Sequence, residues 1–212
     1  MAGKIFLPLL ESHLAQFNPT DPDAPKAVLM GGGGNDLVDP PLPADFTLTR
    51  LYQMLVEDAA SAKTALIEDE VKALIDVELK GYYVKILDRV TIATTVPILL
   101  HGYDYPIPDG QASATGLGPW LKHVFHAKGI EMPMSTAVMR ILICRLNKML
   151  ETLPTKYPGR VHTLKLNGIL EKEAGFAANY RRYWANELHA TDEGFDILAQ
   201  VVHEKLKSLG VK

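Results

Sequence analysis

Short apolar runs alternate with long amphipathic segments, and this alternation constrains the fold more than any other feature of the sequence. We predict buried β-strands over 27–30, 96–100 and 161–166. We predict helices over 5–16, 46–56, 68–91, 121–127 and 135–153, and a last helix after Thr191. Strands joined by crossover helices form a parallel sheet with helices on both faces. The sequence therefore predicts an α/β fold, with 1–212 as one domain.

The helix signals are most distinct in three places. The helix over 68–91 has acidic residues in its first turn, where the helix dipole favours negative charge. Ser135 and Thr191 are predicted N-caps of the two helices that follow them. Two apolar stripes are expected to be buried: Val71, Leu74, Ile75, Leu79, Tyr82, Ile86 and Val90 in the first helix, and Phe195, Leu198, Val202, Leu206 and Leu209 in the last.

The composition excludes several classes of protein. The formal net charge is -3, whereas nucleic-acid-binding surfaces are normally basic. No apolar run reaches the roughly 18 residues of a membrane-spanning helix, and the N-terminal apolar patch is too short for a signal peptide. Cys144 is the only cysteine, so neither an intrachain disulfide nor a cysteine-based zinc site is expected. We expect a cytoplasmic protein without cofactors.

Polar residues follow each of the first two strands. In open parallel sheets, functional residues lie just beyond the carboxyl ends of the strands. Gly33-Gly34-Asn35-Asp36 follows the first strand, and a glycine-rich turn lets a ligand approach the backbone closely. The Asn35 amide could donate a hydrogen bond to an oxyanion. The alternative is a turn in which Asn35 and Asp36 bond their own backbone. A phosphate-binding loop is excluded, because no Gly-Lys-Ser or Gly-Lys-Thr follows.

Histidines supply the other candidate groups. His189 precedes the last helix and could act as a general base, with Asn186, Glu187 or Asp192 as the partner that orients its ring. The alternative is a surface or capping histidine. His101, Tyr103 and Asp104 follow the second strand and would line a substrate pocket together with Asp36, or stiffen a loop.

A metal site is not expected. His123 and His126 lie three residues apart on a predicted helix, but no third ligand accompanies them. We therefore interpret this pair as part of a solvated helix face.

These blocks together resemble the SGNH (GDSL-type) hydrolases, and one bacterial branch in particular. Gly33-Gly34-Asn35-Asp36 is similar to the Gly-x-Asn-Asp block of that family, and Asn186-Glu187-Leu188-His189 to its Asp-x-x-His block. The resemblance spans about 27–206. It implies a three-layer α/β/α, flavodoxin-like sandwich with a five-stranded parallel sheet. It also implies hydrolysis of acyl or acetyl esters, with His189 as general base, Asn186 as its partner, and Asn35 with Gly33 at the oxyanion.

The sequence departs from the family pattern at two points. The family's Gly-Asp-Ser nucleophile block precedes Gly-x-Asn-Asp, but only Ser12 precedes Gly33 here, without that motif. The first strands of the family fold are missing with it, so the fold is expected to be truncated at the N-terminus. In addition, Asn186 replaces the acid of the triad, and an amide cannot stabilise imidazolium by charge.

Three interpretations follow from this pattern. In the first, the chain is an ester hydrolase of this type without its N-terminal part. In the second, it is a non-catalytic binding or structural protein on a reduced fold. The third is an unrelated α/β enzyme that uses Ser113 or Ser135. We also predict that Asn35 and His189 face one cleft, because both motifs are expected at strand ends, and that the strand over 27–30 forms an open sheet edge that favours self-association.

Overall fold

The computed structural model describes residues 24–38, 46–116, 118–175 and 179–211, together with residues 10, 12, 14, 18 and 21. Its strands are β1 (Val28–Met30), β2 (Ile98–His101) and β3 (Val161–Leu164). Its α-helices are α1 (Gly34–Val38), α2 (Arg50–Met54), α3 (Glu68–Lys72), α4 (Lys80–Ala93), α5 (Lys122–Ala127), α6 (Met134–Thr152), α7 (Ile169–Glu173) and α8 (Asp192–Ser208). Short 3-10 helices cover Phe46–Leu48, Leu153–Lys156 and Tyr180–Arg182.

The three strands form one parallel sheet in the order β1, β2, β3. Ile98 in the central strand pairs with Val28 on one side and with Val161 on the other. Ile98, Leu99 and Leu100 are all 0% exposed. Since successive side chains of a strand point to opposite faces, both faces of the sheet are covered. The predicted α/β class with a parallel sheet is therefore confirmed.

A π-helical segment, Ala73–Leu79, joins α3 to α4 and changes which residues are buried. The predicted stripe continued through Tyr82 and Ile86, but Tyr83 and Leu87 are the buried residues, and Tyr82 and Ile86 are half-buried. A π-turn closes its hydrogen bond one residue later than an α-turn. The wider turn rotates the start of α4, so that Tyr83 and Leu87 take the buried positions predicted for Tyr82 and Ile86, whereas Val90 is buried as predicted.

Two other helix predictions are corrected by the structure. Ser135 does not cap α6, because the helix begins at Met134, directly after Pro133, and Ser135 lies inside it. Pro133 at the N-cap has no side-chain acceptor, and the Ser135 N–H donates instead to the Glu131 carbonyl at 3.1 Å. Phe195 was expected in the buried stripe of α8 but is 53% exposed. Helix α8 packs through Ile197 and Leu198 against a small separate cluster. The other four residues of the predicted stripe, Leu198, Val202, Leu206 and Leu209, are half-buried.

The Thr191 cap is confirmed, because its hydroxyl accepts a hydrogen bond from the Gly194 N–H at 3.1 Å. Most of the helix predicted over 5–16 lies outside the described residues.

Within the described part of the chain, no helix combines the length and the apolar character needed to cross a membrane.

Strand β1 is one of the two edge strands of the described sheet, and Leu29 on this strand is 51% exposed. Self-association through this edge stays a prediction. We expect sedimentation velocity to show concentration-dependent association, which Leu29→Lys weakens because an edge lysine opposes strand pairing. Val77→Lys is the control, since Val77 is 65% exposed but lies in the π-helical segment. A wild-type monomer at every concentration, or equal effects of both substitutions, would contradict the prediction.

Candidate functional site

The carboxyl ends of the three parallel strands bring their following loops to one edge of the sheet. There the Gly31–Gly34 turn lies next to the residues that follow β2. A β-carbon on Gly31 would lie 2.2 Å from Cε1 of His101, so the histidine ring occupies the space that a side chain would need. Gly33 has a φ of 90°, which favours glycine, and α1 begins at the next residue.

Two tyrosines hold this turn in place. The Tyr83 hydroxyl donates to the Gly32 carbonyl at 3.0 Å, and the Gly34 N–H donates to the Tyr103 hydroxyl at 3.2 Å. Burial raises the pKa of both phenols, so they stay protonated. Asn147 fixes Tyr103 in turn, because its amide bonds both the N–H and the carbonyl of that residue. The amino end of α1 is therefore held between the buried phenol of Tyr83 and the half-buried phenol of Tyr103.

A tight loop presents His189. Trp184 and Ala190 form an antiparallel bridge that closes it. Asn186 is 6% exposed, and its Oδ1 accepts from the backbone N–H groups of Leu188 and His189, both at 2.9 Å. The same oxygen lies 3.0 Å from Nδ1 of His189. Because two backbone donors fix the orientation of the amide, Nδ1 of His189 is the donor in this contact, which leaves Nε2 as the ring nitrogen that faces other partners.

Asn35 and His189 line one cavity of about 100 Å³, here named the His189 cavity. Tyr103 and Asp104 also contribute to it, and its apolar wall consists of Leu37, Val38, Pro106, Met139, Ile143 and Leu188. The Trp120 ring meets the His189 ring edge-on, with their centroids 5.7 Å apart. Among the described residues, nothing hydrogen-bonds the Asn35 side chain. The cavity therefore holds one base and one open amide against an apolar wall.

Glu187 anchors this region although its role was not anticipated. It is 0% exposed, and its carboxylate accepts from four backbone N–H groups, those of Gly110, Trp120, Leu121 and Lys122, at 2.5–3.0 Å. The carboxylate thus ties the His189 loop to the long loop after β2 and to the start of α5. Sequence reasoning considered Glu187 only as a partner for His189, which Asn186 provides instead. No local sequence pattern indicates that a glutamate will collect distant backbone donors.

Asp104 has a comparable anchoring role. Its carboxylate accepts from the N–H groups of Tyr105, Gly168 and Leu170, which join the loop after β2 to the start of α7. Burial raises the pKa of this carboxyl, and the three hydrogen bonds oppose that rise. The carboxylate oxygens of Asp104 therefore hydrogen-bond the protein backbone, and the residue also lines part of the His189 cavity.

The remaining candidate residues lie outside the cavity lining. His101 packs on Gly31, Gly33 lies under Leu79, and Asp36 is half-buried in α1. His123 contacts the Phe46 ring, and Nδ1 of His126 lies 2.5 Å from Glu131. The part of the chain that the structure describes contains no group of three or more metal-binding side chains.

None of the three candidate serines lines the His189 cavity. Ser12 is exposed, and the Ser113 hydroxyl lies 2.9 Å from that of Thr115. Ser135 is buried and lines a separate cavity with Asp109 and Lys122. Tyr103 has the only hydroxyl among the residues described as lining the His189 cavity, and its raised pKa makes it a poor nucleophile.

No protein-family profile and no curated protein sequence matches this chain. The relation to the SGNH hydrolases therefore depends on the sequence motifs and stays a proposal.

The anchoring role of Glu187 can be tested by stability. We expect Glu187→Gln to lower the free energy of unfolding by about 2–4 kcal/mol, because an amide NH₂ group would face two buried N–H donors. Glu173→Gln is the control, since Glu173 is exposed and should change stability by less than about 0.5 kcal/mol. Urea unfolding of both variants measures the difference. Similar stability of the two variants would show that Glu187 does not anchor the loops.

Proposed function

We propose that this chain carries the general-base and oxyanion half of an SGNH-type ester hydrolase, on a flavodoxin-like sheet, for small acyl or acetyl esters. One observation supports this most strongly: Asn35 and His189 line the same cavity. These are the residues that the family resemblance assigns to the oxyanion and to the base. The motifs that suggested the roles lie 154 residues apart (189 − 35), so local sequence does not force them together.

The proposed chemistry follows from the geometry of His189. Nε2 takes the proton of an attacking hydroxyl group as that oxygen bonds to the ester carbonyl carbon. The carbonyl oxygen becomes an oxyanion, to which the Asn35 amide donates. The carbon–oxygen bond to the alcohol then breaks, and the alcohol leaves with the proton that His189 returns. A bound ester would be positioned by the apolar wall of the cavity.

The source of the attacking hydroxyl distinguishes this chain from a complete hydrolase. In the family that the motifs resemble, it is the serine of Gly-Asp-Ser. Because no serine, threonine or cysteine is among the residues described as lining the cavity, we propose that a water molecule is the nucleophile. We therefore propose slow hydrolysis of activated esters by His189.

A second candidate is a binding protein on the same fold. It is favoured by the absence of a nucleophile among the residues that line the described cavity and by Asn186 in place of a carboxylate. In that case Asn35 and His189 hydrogen-bond a small ligand without turnover.

Hydrolysis of p-nitrophenyl acetate separates the two candidates. We expect His189→Ala to lower the protein-dependent rate by about tenfold or more, since a positioned general base contributes at least that much. His203→Ala is the control for non-specific catalysis by imidazole, because His203 is exposed on α8. We expect Asn35→Ala to lower the rate as well. Equal rates for wild type and His189→Ala, or equal losses in both histidine variants, would favour the binding protein.

A fluorophosphonate probe with peptide mass spectrometry tests whether the chain uses a serine of its own. We expect Ser12, Ser113 and Ser135 to stay unlabelled in wild type. A label on any of them that disappears in His189→Ala would contradict the proposed water mechanism and would identify the nucleophile.

A gain of activity gives a further test. We expect Asn186→Asp to raise the rate of ester hydrolysis by about tenfold or more, because a carboxylate beside Nδ1 stabilises the imidazolium form. In a serine protease the reverse change costs about ten-thousand-fold. Gln200→Glu is the control, since it adds the same charge at an exposed position of α8. An unchanged rate in a folded Asn186→Asp protein would contradict the role of His189 as base.

A further inference from the structure

A second cavity of about 170 Å³, here named the Trp184 cavity, lies on the other side of the loop that follows β2. The residues of this loop alternate between the two cavities. Tyr103 and Pro106 line the His189 cavity, Tyr105 and Ile107 line the Trp184 cavity, and Asp104 lines both. The loop is therefore a partition with one face toward each cavity.

The partition is rigid. Asp104 is bonded to three backbone N–H groups, and the Tyr105 hydroxyl accepts from the Asn167 amide at 2.8 Å. At the far end, the Ile107 N–H donates to the Glu187 carbonyl at 3.2 Å. Because its wall is fixed from three directions, the shape of the Trp184 cavity is largely formed before any ligand binds.

The size and the walls of the Trp184 cavity suit one aromatic ring. Ile107, Met132 and Ala174 provide aliphatic surface, and Tyr105 and Trp184 provide aromatic surface. An apolar cavity of about 150 Å³ in another protein stays dry and binds benzene. Aromatic walls add favourable edge-to-face contacts with a bound ring.

The polar groups of the cavity indicate a neutral ligand. Arg140 forms an ion pair with Glu171 and lies over the Tyr105 ring at 4.6 Å, so its charge is compensated. The Tyr180 hydroxyl donates to Asp109 at 2.8 Å. Among the described residues, nothing hydrogen-bonds the Thr136 hydroxyl, which also lines the cavity. Thr136 is thus the hydrogen-bonding group that remains open to a ligand.

We propose that the Trp184 cavity binds a neutral aromatic ring that carries one hydroxyl or amide group, with the ring against Tyr105 and Trp184 and the polar group on Thr136. Phenol is the simplest ligand of this class. The proposal does not depend on ester hydrolysis, because it concerns binding at a different cavity and requires no turnover.

Titration of the full chain with phenol, followed by NMR of the two tryptophan indole N–H signals, tests the proposal. Trp120→Phe assigns the signals, since Trp120 and Trp184 are the only tryptophans. We expect saturable shifts of the Trp184 signal. Ala174→Leu should weaken phenol binding by about tenfold or more, because the larger side chain fills the space of the ring. Ala199→Leu on the exposed face of α8 is the matched control and should leave the affinity unchanged.

Thr136→Val tests the polar contact and does not require Ala174→Leu to fold. We expect it to weaken phenol binding by about fivefold while toluene binding stays unchanged, because toluene makes no hydrogen bond. Failure of phenol to give saturable Trp184 shifts would overturn the proposal. So would shifts confined to Trp120, which contacts His189, or a phenol-to-toluene affinity ratio that Thr136→Val leaves unchanged.

Discussion

The site depends on one buried carboxylate, that of Glu187, which gathers four backbone N–H groups from a loop more than 60 residues away in the sequence. Buried backbone donors must find an acceptor, and an irregular loop has no neighbouring strand or helix turn to supply one. Glu187 meets this requirement for the long loop after β2. The adjacent Asn186 does the same for its own loop. Two consecutive side chains therefore fix the position of His189 relative to the sheet.

Close approach is the second constraint, and it explains where glycine occurs at the carboxyl edge of the sheet. A β-carbon on Gly34 would lie 2.9 Å from the Tyr103 ring, and one on Gly102 would lie 1.9 Å from Oδ1 of Asn147. Each glycine makes room for a side chain that hydrogen-bonds the neighbouring backbone. Backbone and side chains thus share one densely packed edge, and the His189 cavity is the space that this packing leaves beside α1 and α6.

The sequence predicts the sheet well and the details around it less well. Strand positions follow from apolar runs bounded by breakers, and parallel order follows from the long helices between them, so both agree with the structure. The π-turn at Ala73–Leu79 is invisible to periodicity, because the same apolar residues fit an α-helix. The exposure of Phe195 depends on which elements reach α8, which is a tertiary property. The strand-end rule accounts for the place of Asn35, which follows β1, but not for that of His189, which lies 25 residues beyond the end of β3 (189 − 164).

At Asn186, the side chain that the loop structure requires differs from the side chain that the proposed chemistry would favour. Two of the three hydrogen bonds that its oxygen accepts come from backbone N–H groups, and a carboxylate would accept all three equally well. The loop therefore needs an acceptor here but does not need a charge. In the proposed hydrolysis, a charge at this position would matter only while His189 holds the proton of the attacking hydroxyl group. The amide thus gives His189 the orientation that the proposed hydrolysis requires, without the negative charge that would stabilise an imidazolium ring.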